Sequence, residues 1–475
     1  MLIRNAEVWG IGLQDVRIAG TSIAETGTLP PLPGEAVVDA RRGALLPGLH
    51  DHHIHLAGLA ADKASIACGP PDVRDAEGLA RALARPGAGW IRGTGFHESV
   101  LGGTLPDAAT LDRLVQHRPL RLQHRTGRMW LLNSLALDDL LSRSVPPDGL
   151  ERESGRFTGR LFDEDAWLRQ ALGSRPPDFG EVSHNLTACG VTGVTDMSPR
   201  NDPEMARHFA AQIAGGSLLQ ATLLAGALSL AEAPQEGWRL GPLKLHLHEA
   251  AFPDFEDTLA FIRAGHAQGR PLAVHCVTEA ELVFTLALLE ECGALPGDRI
   301  EHVSVAPPEL VARMAALGVQ ACVQPHFIAE RGDRYLADVE PRHHGDLYLL
   351  RSLHDAGLAL AGGSDAPYGR HDPWTAMAAA VSRKTSGGAT IGAGEALTPE
   401  EALSLYLADP LDFARQRRIA PGETADLCLL DCPWTQARER LTSSDVAAAW
   451  ISGNLVHQRI DQPPIECPAG LDTAP

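Results

Sequence analysis

A chain of 475 residues with 60 acidic side chains against 41 basic ones, formal net charge −19, presents a surface that repels nucleic-acid phosphates and anionic membranes. At 44% hydrophobic and 21% charged residues the composition is that of a globular protein, and the length suits a large barrel joined to a smaller unit. Eight scattered cysteines without a C-x-x-C pair read as reduced thiols, the opening residues lack a signal peptide's apolar run, and no stretch of about 18 apolar residues offers a membrane span, so a cytoplasmic protein is expected.

Residues 1–45 hold short apolar runs (Leu2-Ile3, Val8-Trp9, Val37-Val38) separated by glycine and proline, the pattern of antiparallel strands. The same pattern returns over 416–460, in Leu427-Cys428-Leu429-Leu430 and again over 446–451 before a Ser452-Gly453-Asn454 turn. Both chain ends are therefore expected to pair into one small β-sandwich domain. The proline-rich stretch 461–475 is expected to be a loose tail. Between the ends, residues 46–415 read as a barrel. Its strands are expected at 44–55, 193–197, 220–226, 243–248, 272–275, 299–303, 319–324 and 358–362. Residues 280–292 and 307–317 form helices closed by Gly293 and Gly318, and Thr398-Pro399-Glu400-Glu401 is a capping box. Eight β-then-α units argue for a closed parallel (β/α)8 TIM barrel. The interval 58–183 far exceeds a βα loop of about 2–6 residues, so it reads as an insertion. It leaves the barrel at the C-terminal end of the first strand, and a substrate lid is its expected role.

Chemistry concentrates at the predicted strand ends. His53 and His55 lie two apart on the first strand, so both side chains point to one side. His275 ends the fifth strand, His302 the sixth, and Asp365 follows the eighth. Any one of these alone is as readily an ordinary core or surface residue. Five of them at C-terminal strand ends, where barrel enzymes keep their chemistry, make a mixed nitrogen and oxygen site suited to Zn2+ or another divalent first-row metal.

On these residues the chain resembles the amidohydrolase superfamily, and within it the amidohydrolase-3 branch of metal-dependent hydrolases. The resemblance runs through segments 46–55, 190–197, 299–303, 361–367 and 419–431, with branch-like segments at 93–96 and 130–134. It implies hydrolysis of a C–N bond in a small-molecule amide, N-acyl compound or cyclic amide. A metal-activated water attacks, and Asp365 takes its proton and returns it to the leaving amine, with His302 beside it. It also implies that Lys244, one of only three lysines, is carboxylated and bridges two metals, although His246 and His248 depart from the pattern usual after that lysine. A single ion remains the other option. Arg128 stands where relatives carry a histidine, and a carboxylate clamp or an internal salt bridge are its two readings. His97, His248 and Tyr368 are further candidates for substrate contact. Glu279 falls four residues after His275, where cytosine-deaminase-like members have a glutamate three residues after, which makes deamination the weaker alternative. Decarboxylase or isomerase chemistry and a non-catalytic scaffold complete the rivals. Barrels of this type are often homodimers, though no residue pattern marks an interface.

Overall fold

A computed structural model describes residues 1–70, 72–173 and 176–459; the tail expected over 461–475 lies outside the described residues. The chain divides into two compact units, Ala57–Pro177 and the remainder, Met1–Leu56 with Asp178–Pro475.

In the larger unit, eight parallel strands follow one another around a sheet in chain order. They are β1 (Leu49–Ile54), β2 (Val191–Asp196), β3 (Ala221–Gly226), β4 (Trp238–His246), β5 (Leu272–Cys276), β6 (Arg299–His302), β7 (Gln320–Val323) and β8 (Leu360–Gly362). This is the expected TIM-like barrel. Its expected helices are also present. Glu279–Cys292 starts in a capping box of Thr278 and Glu281, Pro308–Leu317 ends at Gly318 in the left-handed region (φ 68°), and Pro399–Leu407 starts in the Thr398–Glu401 box.

The strand expected over 44–55 is two strands. Ala44–Pro47 pairs antiparallel with Leu427–Leu430 and parallel with Leu2–Val8, whereas β1 pairs with β2. The switch occurs at Gly48. Its N–H donates to the Asp426 carbonyl, and the next N–H, of Leu49, donates to the Gly190 carbonyl. A Cβ at Gly48 would lie 2.2 Å from Thr192 Oγ1, so only glycine permits this crossing. The fourth strand also differs from the expected 243–248. It begins at Trp238 and ends at His246, which leaves His248 beyond the ladder.

Both chain ends meet in one sheet of eight strands, in which Asn454–Gln458, Val446–Ile451, Leu427–Leu430 and Ala44–Pro47 lead on to Leu2–Val8, Gly12–Ala19 and Ser22–Gly27. Ile3, Val16, Ile18, Leu45, Leu427, Leu429 and Trp450 form its core. The inserted unit has its own six-stranded sheet, which includes Ile91–Phe96, Leu120–His124 and Met129–Leu132. Alternation along the last of these sends Leu131 to one apolar cluster, with Phe96 and Leu122. Trp130 and Leu132 go to another, with Leu140 and Leu161.

The barrel closes between β8 and β1 by main-chain bonds just past the strand ends. Asp365 N–H donates to the His53 carbonyl at 2.6 Å and His55 N–H to the Ala366 carbonyl at 2.9 Å. Gly363 makes this approach feasible, since a Cβ there would lie 2.5–2.9 Å from the main chain and Cβ of His53. Gly363→Ala should therefore lower unfolding stability by about 1–3 kcal/mol, read from the urea midpoint. An unchanged midpoint would show that the seam can open to admit a methyl group.

Candidate metal centre

His53 and His55 face the same way, with ring centroids 5.2 Å apart. Asp365 Oδ1 lies 3.4 Å from His53 Nε2 and 3.1 Å from His55 Nε2. One ligand atom from each of the three falls within 4.8 Å of the others, the grouping that a divalent ion requires. The row of imidazoles continues. His53 to His302 is 4.8 Å between centroids, His302 to His275 is 4.5 Å, and His275 to His246 is 4.3 Å. Five separate strand ends thus deliver these groups to one place.

Local backbone geometry helps to aim them. His302 (φ 72°), Val303 (φ 48°) and Asp365 (φ 52°) all occupy the left-handed region. Such residues carry about 1–3 kcal/mol of strain each and persist where surroundings over-determine them. At Asp365 the bond to the His53 carbonyl does so.

The protonation states suit cation binding. Burial pushes His53 down to about 3 and His246 to about 4, and it pushes His275 and His302 below the ordinary imidazole value as well. Neutral rings offer lone pairs. Burial alone would raise the Asp365 carboxyl, but the hydrogen bond from His55 and the electrostatic pull of His302, His53 and His55 together outweigh it and hold the group below the usual carboxylate range.

A second layer fixes which nitrogen the rings of His53, His302 and His55 present. His53 Nδ1 donates to Glu301 Oε2 at 2.6 Å, and Glu301 in turn accepts two bonds from Arg299, at 2.5 and 3.0 Å. His302 Nδ1 donates to Gln324 Oε1 at 2.8 Å. His55 Nδ1 lies 3.2 Å from Ser198 Oγ, and the Asp196 carboxylate holds the N–H groups of Ser198 and Leu56. In each case the Nε2 atom is left to face the centre. Sequence reasoning passed over Glu301. It stands next to His302, so strict strand alternation would point it away, and the left-handed turn at His302 cancels that alternation.

Lys244 is 4% exposed, and its Nζ has no hydrogen-bond partner. Burial lowers its pKa toward the neutral amine, against the pull of Glu301. An orphaned amine in a buried cluster of ligands matches a lysine that becomes an anionic oxygen ligand, so the residues fit a second cation as well as a first.

The other candidates are placed as follows. His246, rather than His248, packs against His275; both are exposed, and their rings lie 5.7 Å apart. Tyr368 meets the His55 ring edge-on at 5.8 Å and is 63% exposed. Arg128 and His97 belong to the inserted unit. Arg128 forks onto Asp163 at 2.8 and 2.6 Å, the salt-bridge arrangement. His97 caps the short helix Glu98–Leu101 and stacks on His124. Glu279 lies 3.8 Å from His343.

A family model described as "Amidohydrolase family" matches residues 36–457. The N-substituted formamide deformylase of Arthrobacter pascens is 26% identical, over 96% of this chain and 97% of that protein. Among solved structures, an uncharacterized metal-dependent hydrolase from Pyrococcus horikoshii OT3 superposes with a TM-score of 0.76 at 19% identity, covering 91% of this chain and 97% of that one. N-isopropylammelide isopropylaminohydrolase from Burkholderia multivorans shares the fold with a TM-score of 0.53 at 18% identity, covering 96% and 98%.

Because Glu301 sets the tautomer and orientation of His53, Glu301→Gln should weaken zinc binding about 10–100-fold in competition with a chromophoric chelator. Wild-type affinity would show that His53 needs no such support.

Proposed function

The chain belongs to the amidohydrolase family of metal-dependent hydrolases acting on carbon–nitrogen bonds, and we propose that it hydrolyses an amide or N-acyl bond in a small molecule, with Asp365 as general acid and base. The convergence of His53, His55, His275, His302 and Asp365 carries this reading. The donors are imidazole nitrogen and carboxylate oxygen, a set suited to zinc. His53, His55 and Asp365 would hold one ion. His275 and His302, with Lys244 as a carboxylated ligand, would hold a second. Zinc bound there supplies Lewis acidity, acidifying water and polarising a carbonyl.

The chain's own groups do the rest. Asp365 is ionised, and its Oδ1 faces His55 and His53. Its other oxygen, Oδ2, accepts the proton of the attacking water and passes it to the nitrogen of the leaving amine. The carbon–nitrogen bond breaks as a carbon–oxygen bond forms, so the products are a carboxylic acid and an amine. His302, kept in one tautomer by Gln324, presents Nε2 toward the same space. Tyr368, exposed beside His55, is the barrel's proposed contact to the substrate.

The name of the Arthrobacter pascens relative makes N-substituted formamides the first class to test, with cyclic amides and N-acyl amino acids next. A cytoplasmic location is proposed on the thiols, since all seven described cysteines are free. No helix among the described residues is long and apolar enough to cross a membrane.

Asp365→Asn should cut amine release about 10²–10⁴-fold while zinc content by mass spectrometry stays near wild type. Near-normal turnover would remove Asp365 from the proton's route. Dialysis against a strong chelator should abolish hydrolysis, and added zinc should restore it; activity that survives metal removal would refute the metal-dependent reading.

A further inference from the structure

The inserted unit holds a charged cluster that hydrolysis does not use. Arg92 and Arg121 sit on neighbouring parallel strands and are direct partners in the ladder. Both guanidinium groups lie over one indole, with Cζ 5.6 and 5.5 Å from the ring centroid of Trp130. That indole is 5% exposed, and its Nε1 donates to Asp165 at 2.9 Å, so it is a fixed platform.

The two arginines differ in their partners. Arg92 Nη1 donates to the Ala61 carbonyl and, at 2.7 Å, to Ser65 Oγ, and the charges of Asp62 and Asp165 act on it. The Arg121 side chain makes no hydrogen bond or ion pair with any described residue, and its Nε is buried without a partner. Burial, and then the like charge of Arg92, push its pKa down to about 10. Like charges directly opposite on adjacent strands oppose pairing, and a half-buried cation without a counter-charge is costly. Contact with one indole face offsets only part of this.

We infer that Arg121, together with Arg92 and Trp130, forms a binding site for a small oxyanion, a carboxylate or a phosphate. Two planar guanidinium groups side by side present several N–H donors to such a group, and the anion supplies the counter-charge that the chain does not. This site is built from residues of the inserted unit alone and stands whatever bond the enzyme cleaves.

The test is calorimetric titration of the full-length protein with sodium phosphate and, separately, sodium acetate, at constant ionic strength set with sodium chloride. Saturable binding of either anion is expected, weakened about tenfold or more by Arg121→Met. Phosphate alone would point to a phosphorylated ligand, and acetate to a carboxylate. Arg121→Lys keeps the charge and the stem, should fold as wild type does, and should still lose affinity because the fork is gone. In chloride alone, Arg121→Met should melt no lower than wild type, since it removes an unpaired cation. The inference is overturned if neither anion binds. It is overturned equally if both Arg121 variants bind as wild type does, which would place the anion elsewhere, such as at the metal centre. It also fails if Arg121→Met melts well below wild type in chloride, the mark of a purely structural arginine.

Discussion

The N–H of Asp365 reaches the carbonyl of His53 across 2.6 Å, and this one main-chain bond does two jobs. It closes the ring of strands between β8 and β1, and it sets the carboxylate of Asp365 beside the imidazoles of His53 and His55. Barrel closure and assembly of the centre are therefore one event. Gly363 admits the approach because it has no Cβ, and the left-handed backbone at Asp365 turns the carboxylate back toward the histidines. Asp51 supports the same seam, with Oδ1 accepting from the N–H groups of Ser364 and His53.

Charge balance explains the next layer. Arg299 is buried and would be expensive alone, but Glu301 accepts from it twice and also accepts from the Nδ1–H of His53. A buried ion pair thereby becomes a positioning device for the His53 imidazole. Lys244 shares that interior without a hydrogen bond of its own. Arg299 has a carboxylate partner in Glu301, although its Nη1 is unpartnered, whereas Lys244 Nζ has no hydrogen bond at all, and this contrast is what supports the proposed chemical change at the lysine.

Much of this was legible in the residues. His53 and His55 could be paired because strand periodicity is two, and the placing of His275, His302 and Asp365 needed only the rule that barrel chemistry sits at C-terminal strand ends. The helix bounds followed from Gly293, Gly318 and Thr398, whose capping chemistry is local, whereas the Thr278 box was not read. The illegible parts depend on tertiary contact or on departures from regular geometry. The break at Gly48 is set by Thr192, far away in the chain. Glu301 was hidden by the turn at His302. His246 outranks His248 because β4 ends at His246, and no turn signal marks that end. The pairing of Arg92 with Arg121 is a matter of register between strands.

The central claim of the proposal is that His53 and His55 at the end of β1 and Asp365 after β8 hold a divalent ion, and anomalous diffraction at the zinc edge from crystals of the zinc-loaded protein tests it most directly. The account predicts a peak about 2.0–2.2 Å from Nε2 of both His53 and His55, with Asp365 in the same coordination sphere. A peak elsewhere, for instance at the Asp431, Cys432 and Asp445 cluster, with none among these histidines, would contradict it.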